Sequence, residues 1–370
     1  MKIPFADLPA QYRSLKHPID EAIGKVLGTG QYIQGDAVRD FESAFASAHG
    51  AAHCVATGSG TDALHIALWA MGVGNGDAVV TVPFTFIATV EAILLTGARP
   101  VFTDIDPVTF TMDPWKLAGV LKRTPGVKAV LPVHLYGQPA PIEEIVSVSG
   151  AHGASVVEDA AQAHLAKSGE VCVGNFGRAG TFSFYPAKNL GAFGEAGAVT
   201  TGDPDLASAM RRLRDHGQAG KYRHAGWGHN YRMDSIQGAV LGVKLRRLGE
   251  WTARRREMAA MYTERLAGLD GLTPPAQRPG ATHVYHLYVV RCRRRDELQK
   301  YLSGRGISTA LHYPVPLHLQ EGLGFLGYRE GDFPVSESAA KECLALPLYP
   351  EMSTDQVAFL LETVRGFFGS

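Results

Sequence analysis

The sequence predicts an α/β protein with a layered, largely parallel β-sheet and a smaller C-terminal α+β domain. Seven short runs rich in valine and other apolar residues occur within the first 201 residues. Segments with helical periodicity separate several of them, which is typical of parallel sheets. Most of the runs are continuously apolar, as in strands covered on both faces. After residue 205 the pattern changes to longer helical stretches.

The strand candidates come first along the chain. They are residues 53–57, 78–82, 100–105, 128–135, 154–160, 180–184 and 198–201. Between the first two, "TDALHIALWAMG" places Leu64, Leu68 and Met71 on one helical face. Because ligands of such sheets gather at the carboxyl ends of the strands, we expect functional residues there.

The C-terminal third has a different pattern. A link, "TPPAQRPGAT", precedes a strand candidate, "HVYHLYVVRC", and helices are predicted over 296–305 and 355–368. We place the domain boundary near Gly249, so that residues 1–249 form the large α/β domain and 250–370 the small one.

Composition narrows the class of protein. The 370 residues carry 36 Lys+Arg and 36 Asp+Glu, and this balance argues against a nucleic-acid or anionic-membrane binder. The four cysteines show no CxxC spacing, so neither a disulfide framework nor a metal site is predicted. No apolar block resembles a signal peptide or a membrane span, and we expect a cytoplasmic enzyme.

The stretch "ATGSGTDALHIAL" is a candidate phosphate site. A strand ends in a glycine-containing turn and a helix begins near Gly60. The free N–H groups and the dipole of a helix start attract anions, and glycines allow a ligand to approach. A plain strand-to-helix turn explains the same residues equally well.

Two acidic residues, Glu158 and Asp159, directly follow an apolar strand in "VVEDAAQAHLA". One interpretation is a carboxylate that caps the next helix. The other is a buried partner for a protonated ring nitrogen, which a pyridoxal phosphate (PLP) site requires.

A single lysine, Lys188, stands among aromatic and small residues in "GTFSFYPAKNLGAFGEAGAVTT". It either points into water from a loop or acts as a nucleophile, which requires an apolar setting that keeps the amine partly neutral. A phosphate site, a ring-nitrogen carboxylate and an activated lysine are the three parts that PLP needs. Their order along one α/β chain favours the second interpretation.

These motifs and others along the chain resemble the sugar aminotransferases of the DegT/DnrJ/EryC1/StrS family. The further matching segments are "PFADLPAQY", "GQYIQG", "VPFTFIAT", "PVFTDID", "PVHLYGQ", "GHNYRMDSIQGAVL" and "HYPVPLHLQ". The resemblance implies the type I aspartate aminotransferase-like fold, with a mixed, mostly parallel seven-stranded sheet flanked by helices.

The resemblance also implies roles for individual residues. Lys188 would bond covalently to PLP, and Asp159 would pair with the pyridine nitrogen. Gln162 would hydrogen-bond the phenolic oxygen of the cofactor, and Phe86 would stack on its ring. The residues implied in phosphate binding are Gly60, Thr61 and Ser183, with Asn230 reaching in from a partner subunit of a homodimer.

For the substrates, the resemblance implies glutamate as amino donor and a nucleotide-linked keto sugar as acceptor. The segment 214–234 is similar to that of relatives acting on 3-keto sugars linked to dTDP or UDP. Candidate contacts to the diphosphate or to hydroxyl groups are Lys221, Tyr222 and Arg232. Tyr185, His312 and Tyr313 would face the sugar, although the last two could equally be core residues of the small domain.

The sequence departs from the family pattern in two places. Leu165 stands where many relatives have glycine, which would alter a wall near the cofactor or substrate, and Glu195 and Ala196 form a milder change in "GEAGA". The retained lysine favours amino transfer over the deoxygenation of histidine-bearing relatives. Two alternatives stay open: an aminotransferase of a keto-inositol or aminocyclitol precursor, and a non-catalytic regulator that binds the cofactor.

Overall fold

The computed structural model describes residues 1–369, and the predicted α/β architecture is confirmed. The strands are β1 His53–Thr57, β2 Ala78–Thr81, β3 Arg99–Phe102, β4 Val127–Val130, β5 Ser155–Asp159, β6 Lys167–Ser168, β7 Val171–Cys172, β8 Ala179–Ser183, β9 Gly197–Thr201, β10 Gln218–Gly220, β11 Arg223–His224, β12 Leu272–Thr273, β13 Ala281–Thr282, β14 Tyr288–Cys292 and β15 Cys343–Leu346. The α-helices are α1 Leu8–Thr29, α2 Asp36–His49, α3 Gly60–Ala70, α4 Ala88–Leu95, α5 Pro114–Arg123, α6 Ile142–Gly150, α7 Pro204–Leu213, α8 Ser235–Leu245, α9 Leu248–Leu266, α10 Arg295–Ser303, α11 Pro334–Glu342 and α12 Thr354–Phe368.

The seven predicted strands form one seven-stranded sheet. Its order is β1-β9-β8-β5-β4-β2-β3, with β9 antiparallel to both neighbours and the other pairs parallel. The sheet is therefore mixed and mostly parallel. In the register, Asp159 of β5 lies opposite Thr181 of β8, and Ser183 of β8 lies opposite Gly197 of β9. The carboxyl ends of β5 and β8 consequently meet at one edge.

The apolar runs form strands because helices cover both sheet faces. All residues of β2 and of β9 are buried, as expected for strands without a solvent face. The run 128–135 is predicted too long, since β4 ends at Val130, before Pro132, whose ring removes a ladder donor. The chain beyond it turns, and Tyr136 has a φ of 60°.

A second, three-stranded antiparallel sheet, β12-β14-β15, forms in the C-terminal part. Helices α9, α10 and α12 pack on it through a core that includes Met258, Leu298 and Leu360. The predicted helices at 296–305 and 355–368 correspond to α10 and α12. The domain boundary at 249/250 stays a prediction, and it falls within the first turn of α9.

Along residues 1–369, no helix is both long and apolar enough to cross a bilayer. The four cysteines are buried and free.

Candidate active site

A cavity of about 590 Å³ lies at the carboxyl edge of the large sheet, against residues of the C-terminal part. Its walls come from the starts of α3 and α4, the end of β5, the β8–β9 loop, and the segments 286–287, 312–313 and 346–349. The structure brings most of the sequence-predicted residues together there. Those that line it are Gly60, Thr61, Phe86, Asp159, Gln162, Ser183, Tyr185, Lys188, His312 and Tyr313.

The start of α3 forms an anion cradle at one end of the cavity. Ser59 caps the helix by accepting a hydrogen bond from the Asp62 N–H at 3.1 Å, which leaves the first-turn N–H groups of Gly60 and Thr61 for a ligand. Glycine is required at position 60, because a Cβ there would lie 2.7 Å from Cβ of Ser183. The Ser183 hydroxyl is thereby held beside the helix start.

A second glycine, Gly197, allows the start of α3 to pack closely against the sheet. A Cβ at Gly197 would lie 2.2 Å from the carbonyl oxygen of Ser59. Burial raises the pKa of the nearby Asp62 to about 6, and the charge of Glu195 adds to this rise.

The Asp159 carboxylate ends β5 and is buried. Its Oδ2 accepts a hydrogen bond from Oγ1 of Thr89 at 2.9 Å, and its Oδ1 accepts one from the Ala161 N–H at 3.2 Å. Burial raises the pKa of Asp159, while these two donors and the charges of Lys188 and His134 oppose the rise. The result is a buried carboxylate with capacity for a cationic or N–H ligand group.

The adjacent Glu158 has a different task. Its Oε2 accepts from the Gly174 N–H at 2.7 Å and from Nε2 of His134 at 3.0 Å. Its Oε1 accepts from two further N–H groups, of Phe176 and Gly177, both at 2.8 Å. Four donors saturate this carboxylate, so of the two acidic residues only Asp159 is available to the cavity.

Lys188 is carried by the loop between the antiparallel strands β8 and β9. The loop is closed by hydrogen bonds from the Phe184 N–H to the Ala196 carbonyl and from the Ala192 N–H to the Phe184 carbonyl, both at 2.8 Å. The side chain is half-buried and lines the cavity, and its partial removal from water lowers the pKa of its amine to about 8. Asp159 acts in the opposite direction. An amine with this pKa is partly neutral near pH 7 and can act as a nucleophile.

Gln162 presents its amide N–H groups to the cavity. Its Oε1 accepts from the Tyr136 N–H at 2.7 Å, and its Nε2 donates to Oη of Tyr313 at 3.3 Å. The rings of Tyr313 and Phe86 lie 5.9 Å apart between centroids. Phe86 is 55% exposed and Tyr185 is 52% exposed. Both aromatic rings are therefore accessible to a ligand or a second chain.

Four predicted residues lie away from the cavity of their own chain. Lys221 and Tyr222 are exposed in the β10–β11 hairpin. The Oδ1 of the exposed Asn230 accepts from Nε of Arg232 at 2.9 Å, and Arg232 also forms an ion pair with Asp215 at 3.1 Å. Their contacts with cofactor or substrate stay predictions, and that of Asn230 requires a second subunit.

Leu165 does not line the cavity, and its effect on a wall near cofactor or substrate stays a prediction. Its side chain is half-buried and packs against an apolar cluster that includes residues of α2, β8 and β9. Its backbone has a φ of 62°, in the left-handed region that favours glycine. The N–H of Leu165 donates to Nε2 of His49 at 3.2 Å.

Sequence reasoning missed several cavity residues, among them Thr89, Arg255, His286 and Tyr349. Thr89 could have been predicted from the sequence, because it follows Phe86 by three residues and this spacing places both side chains on the same side of the chain. The other three come from distant parts of the chain, and their own segments carry no motif that points to a site.

The cavity residues fit PLP. The cradle of Gly60 and Ser183 suits the phosphate, Asp159 suits a protonated ring nitrogen, and Lys188 suits an aldehyde carbon. No group of three His, Cys, Asp or Glu side chains within residues 1–369 could hold a metal ion.

Comparisons with known proteins agree with this chemistry. Residues 13–365 match the model of the DegT/DnrJ/EryC1/StrS aminotransferase family. The chain is 46% identical to the "Pleiotropic regulatory protein" of Geobacillus stearothermophilus, over 100% of this chain and 99% of that protein. It is 42% identical to the dTDP-3-amino-3,4,6-trideoxy-alpha-D-glucose transaminase of Streptomyces venezuelae, over 98% and 96%.

The fold is similar to that of solved aminotransferases. The crystal structure of S. venezuelae DesV in complex with a ketimine intermediate superimposes with a TM-score of 0.97 at 42% identity, covering 100% of this chain and 99% of that one.

Proposed function

We propose that this chain, which belongs to the DegT/DnrJ/EryC1/StrS aminotransferase family, moves an amino group from glutamate to the 3-keto group of a dTDP- or UDP-linked deoxysugar. Family membership makes it a PLP-dependent sugar aminotransferase. The observation that carries the proposal is the placement of Lys188, Asp159 and the Gly60 cradle around one cavity. We expect the reaction to take place in the cytoplasm.

In the proposed mechanism the residues of the chain hold and move protons around the cofactor. When bound, PLP supplies an electron-accepting ring next to the carbon that loses or gains the amino group. The Asp159 carboxylate holds a proton on the ring nitrogen. The Lys188 amine would act as the base that takes a proton from the donor carbon, and the resulting ammonium would be the acid that gives this proton to the adjacent carbon of the cofactor. Its pKa of about 8 suits both directions near neutral pH.

Other residues orient the reactants. The N–H groups of Gly60 and Thr61 and the hydroxyl of Ser183 bind the phosphate, and Gln162 donates to the phenolic oxygen. Phe86 would stack on the cofactor ring and exclude water from it. Tyr185, His312 and Tyr313 contact the sugar.

The site is completed by a second subunit in this proposal. Asn230, Lys221, Tyr222 and Arg232 lie away from the cavity of their own chain and would reach that of the partner. Mixing inactive Lys188→Ala subunits with Asn230→Ala subunits tests this arrangement. Sharing predicts that one site in each mixed dimer regains both residues, so activity returns on mixing; no return contradicts shared sites.

The reaction is tested in reverse. We expect the protein with PLP and 2-oxoglutarate to form glutamate from a 3-amino nucleotide sugar, followed by mass spectrometry. The panel includes 3-amino and 4-amino sugars linked to dTDP and UDP, together with free aminocyclitols. Lys188→Ala should be inactive and Lys25→Ala, a change on the exposed face of α1, should keep full activity. Reaction with aminocyclitols alone, or with no amine at all, contradicts the proposal.

A further inference from the structure

Lys244 is a buried lysine that does not line the cavity. It lies in the last turn of α8, and only 1% of its surface is exposed. Among residues 1–369 it forms no ion pair, and Glu351 is the acidic residue whose charge acts on it. Burial lowers the pKa of Lys244 to about 8, so the amine is mostly protonated near neutral pH. A buried cation without a carboxylate partner destabilises a fold, which indicates that this lysine has a role beyond packing.

The ammonium of Lys244 contacts the β8–β9 loop, residues 184–196, which carries Lys188. Its Nζ donates a hydrogen bond to the carbonyl oxygen of Gly191. The same atom lies 5.2 Å from the centroid of the Phe193 ring. Hydrogen bonds from a charged donor and cation–π contacts are both stronger away from water than at an exposed surface. The two contacts therefore hold the second half of the loop against α8.

Helix α8 provides a second side chain that holds the same loop. Gln237 precedes Lys244 by about two helical turns, so both side chains lie on one face of α8. Its Oε1 accepts a hydrogen bond from the Phe193 N–H at 2.8 Å. The helix is itself fixed, since Val240 and Leu241 are fully buried and pack into apolar clusters with residues of α1 and α2. The loop is thus held by a rigid element.

The held part of the loop packs against the backbone next to Lys188. A Cβ at Gly191 would lie 2.2 Å from the carbonyl oxygen of Pro186, so the chain is in direct contact with itself at these two positions. The N–H of Lys188 donates to the carbonyl oxygen of Tyr185 at 2.8 Å. Residues 185–191 consequently form a compact turn with Lys188 inside it. A displacement of Gly191 would therefore displace the backbone of Lys188.

We propose that Lys244 is a positioning residue for Lys188. Its ammonium keeps the β8–β9 loop against α8, and the loop keeps the Lys188 amine at the place in the cavity where it bonds PLP and moves protons. The inference rests on the proposed function, since that function assigns these tasks to Lys188. An apolar side chain at position 244 would fill the same space but would leave the Gly191 carbonyl without a donor. The contact with the loop accounts for a cation in a place where burial makes it costly.

The first test measures the Lys188 amine in the PLP-free protein. In Lys244→Met the loop loses its charged contact, so water reaches the Lys188 amine more easily. Because burial is what lowers the pKa of this amine, the pKa should rise from about 8 by about one unit. The measurement is the pH dependence of Lys188 labelling by acetic anhydride, followed by peptide mass spectrometry. The melting temperature should change little, since removal of a buried charge offsets the lost hydrogen bond.

The second test measures rates. We expect the attachment of PLP and both half-reactions, with glutamate and with the amino sugar, to become about 10- to 100-fold slower in Lys244→Met. Both half-reactions should lose the same factor, because Lys188 moves the proton in each. The KM for glutamate should change less than about twofold, because Lys244 does not line the cavity.

Three further variants complete these tests. Lys244→Arg keeps a cation that can donate to Gly191 and should lose less rate than Lys244→Met. Lys244→Gln, whose amide is shorter and uncharged, repeats the test if the methionine variant folds poorly. Lys116→Met is the matched control, since its Nζ also donates to a backbone carbonyl, that of Ile105 at 2.8 Å, and lies outside the cavity. It should leave the pKa of Lys188 and all rates unchanged.

A third test asks whether the effect passes through Lys188. Methylamine added to Lys188→Ala supplies a free base that no loop holds. In this background Lys244→Met should change the methylamine-dependent rate less than about twofold. A general loss of structure would lower the rate in both backgrounds.

Three outcomes would overturn the inference: an unchanged pKa of Lys188 in both Lys244→Met and Lys244→Gln, a loss confined to one half-reaction, or an equal loss in the background supplied with methylamine. A wild type that forms no bond between Lys188 and PLP would instead contradict the proposed function. Labelling of the PLP-free protein would then still test the contact between Lys244 and the loop.

Discussion

The hydroxyl of Thr89 donates a 2.9 Å hydrogen bond to Oδ2 of Asp159, joining the first turn of α4 to the end of β5. Both side chains are buried, with 1% and 4% of their surfaces exposed. The bond favours the charged form of the carboxylate and so opposes the effect of burial. Thr89 thus helps keep Asp159 ionised, as its pairing with a ring nitrogen requires.

Replacing Thr89 by valine tests this relationship. The pKa of Asp159 should rise, and the acidic limb of the pH–kcat profile should move to higher pH, by about one unit. Thr89→Ser keeps the donor and should keep the wild-type profile. An unchanged profile in Thr89→Val would show that the hydroxyl has no effect on the carboxylate.

The neighbours Glu158 and Asp159 should respond oppositely to amide replacement. Glu158→Gln puts an NH2 group against N–H donors and should cost about 2–4 kcal/mol of unfolding free energy. Asp159→Asn should leave stability unchanged or raised, because burial already disfavours its charge, while kcat falls about 10²- to 10³-fold. Denaturant unfolding and steady-state kinetics measure both. A stability loss in Asp159→Asn as large as that in Glu158→Gln would contradict the assignment.

The lowered pKa of Lys188 predicts the pH dependence of cofactor attachment. The neutral amine attacks, so the attachment rate to the apoenzyme should rise about tenfold per pH unit below pH 8 and level off above it. Stopped-flow absorbance would follow the reaction. Because Asp159 raises the pKa of this lysine, Asp159→Asn should move the midpoint lower. A midpoint near 10 would mean that the amine is solvated.

The lowered pKa of Lys188 also makes the stability of the fold depend on pH. The pKa of Lys188 in the folded chain lies below its ordinary value of 10.5. Between these values the unfolded chain binds more protons, so this group makes the fold more stable as pH rises from about 8 to about 10.5. Lys188→Met should remove that part of the slope.

At position 165 we expect the glycine variant to be more stable than the alanine variant, which reverses the usual order. Its φ of 62° strains any residue with a Cβ, so Leu165→Gly should be more stable than Leu165→Ala by about 1 kcal/mol. Both lose the same packing against the α2 cluster. The ordinary order, alanine above glycine, is expected at the exposed helical Glu264 as a control. Activity should be unchanged, since Leu165 does not line the cavity.

The strands and the short motifs were predictable from sequence because their signals are local. Continuous apolar runs identified all seven strands of the large sheet, and Asp159 and Lys188 each sit within a few residues of a strand end. Boundaries were less predictable: β4 ends at Val130, and beyond it Val133 forms only an isolated bridge with Asp159.

What sequence did not reveal depends on long-range packing. The bond from Thr89 to Asp159 joins residues 70 positions apart, and that from Arg255 to Leu348 joins residues 93 apart. Nothing near either donor indicates its acceptor. The saturation of Glu158 was hidden for the same reason, since its four donors come from two other segments.

The close fit of Gly60 on Ser183 and of Gly197 on Ser59 has a consequence for how a turnover proceeds. The start of α3 packs closely against the sheet edge, so the anion cradle is preorganised. Phosphate binding therefore costs little conformational entropy. Because the reaction has two half-reactions, the bond between Lys188 and the cofactor is broken in every cycle. A rigid phosphate anchor keeps the cofactor from diffusing away during that interval, and an alanine at position 60 should therefore make the enzyme lose cofactor with each turnover.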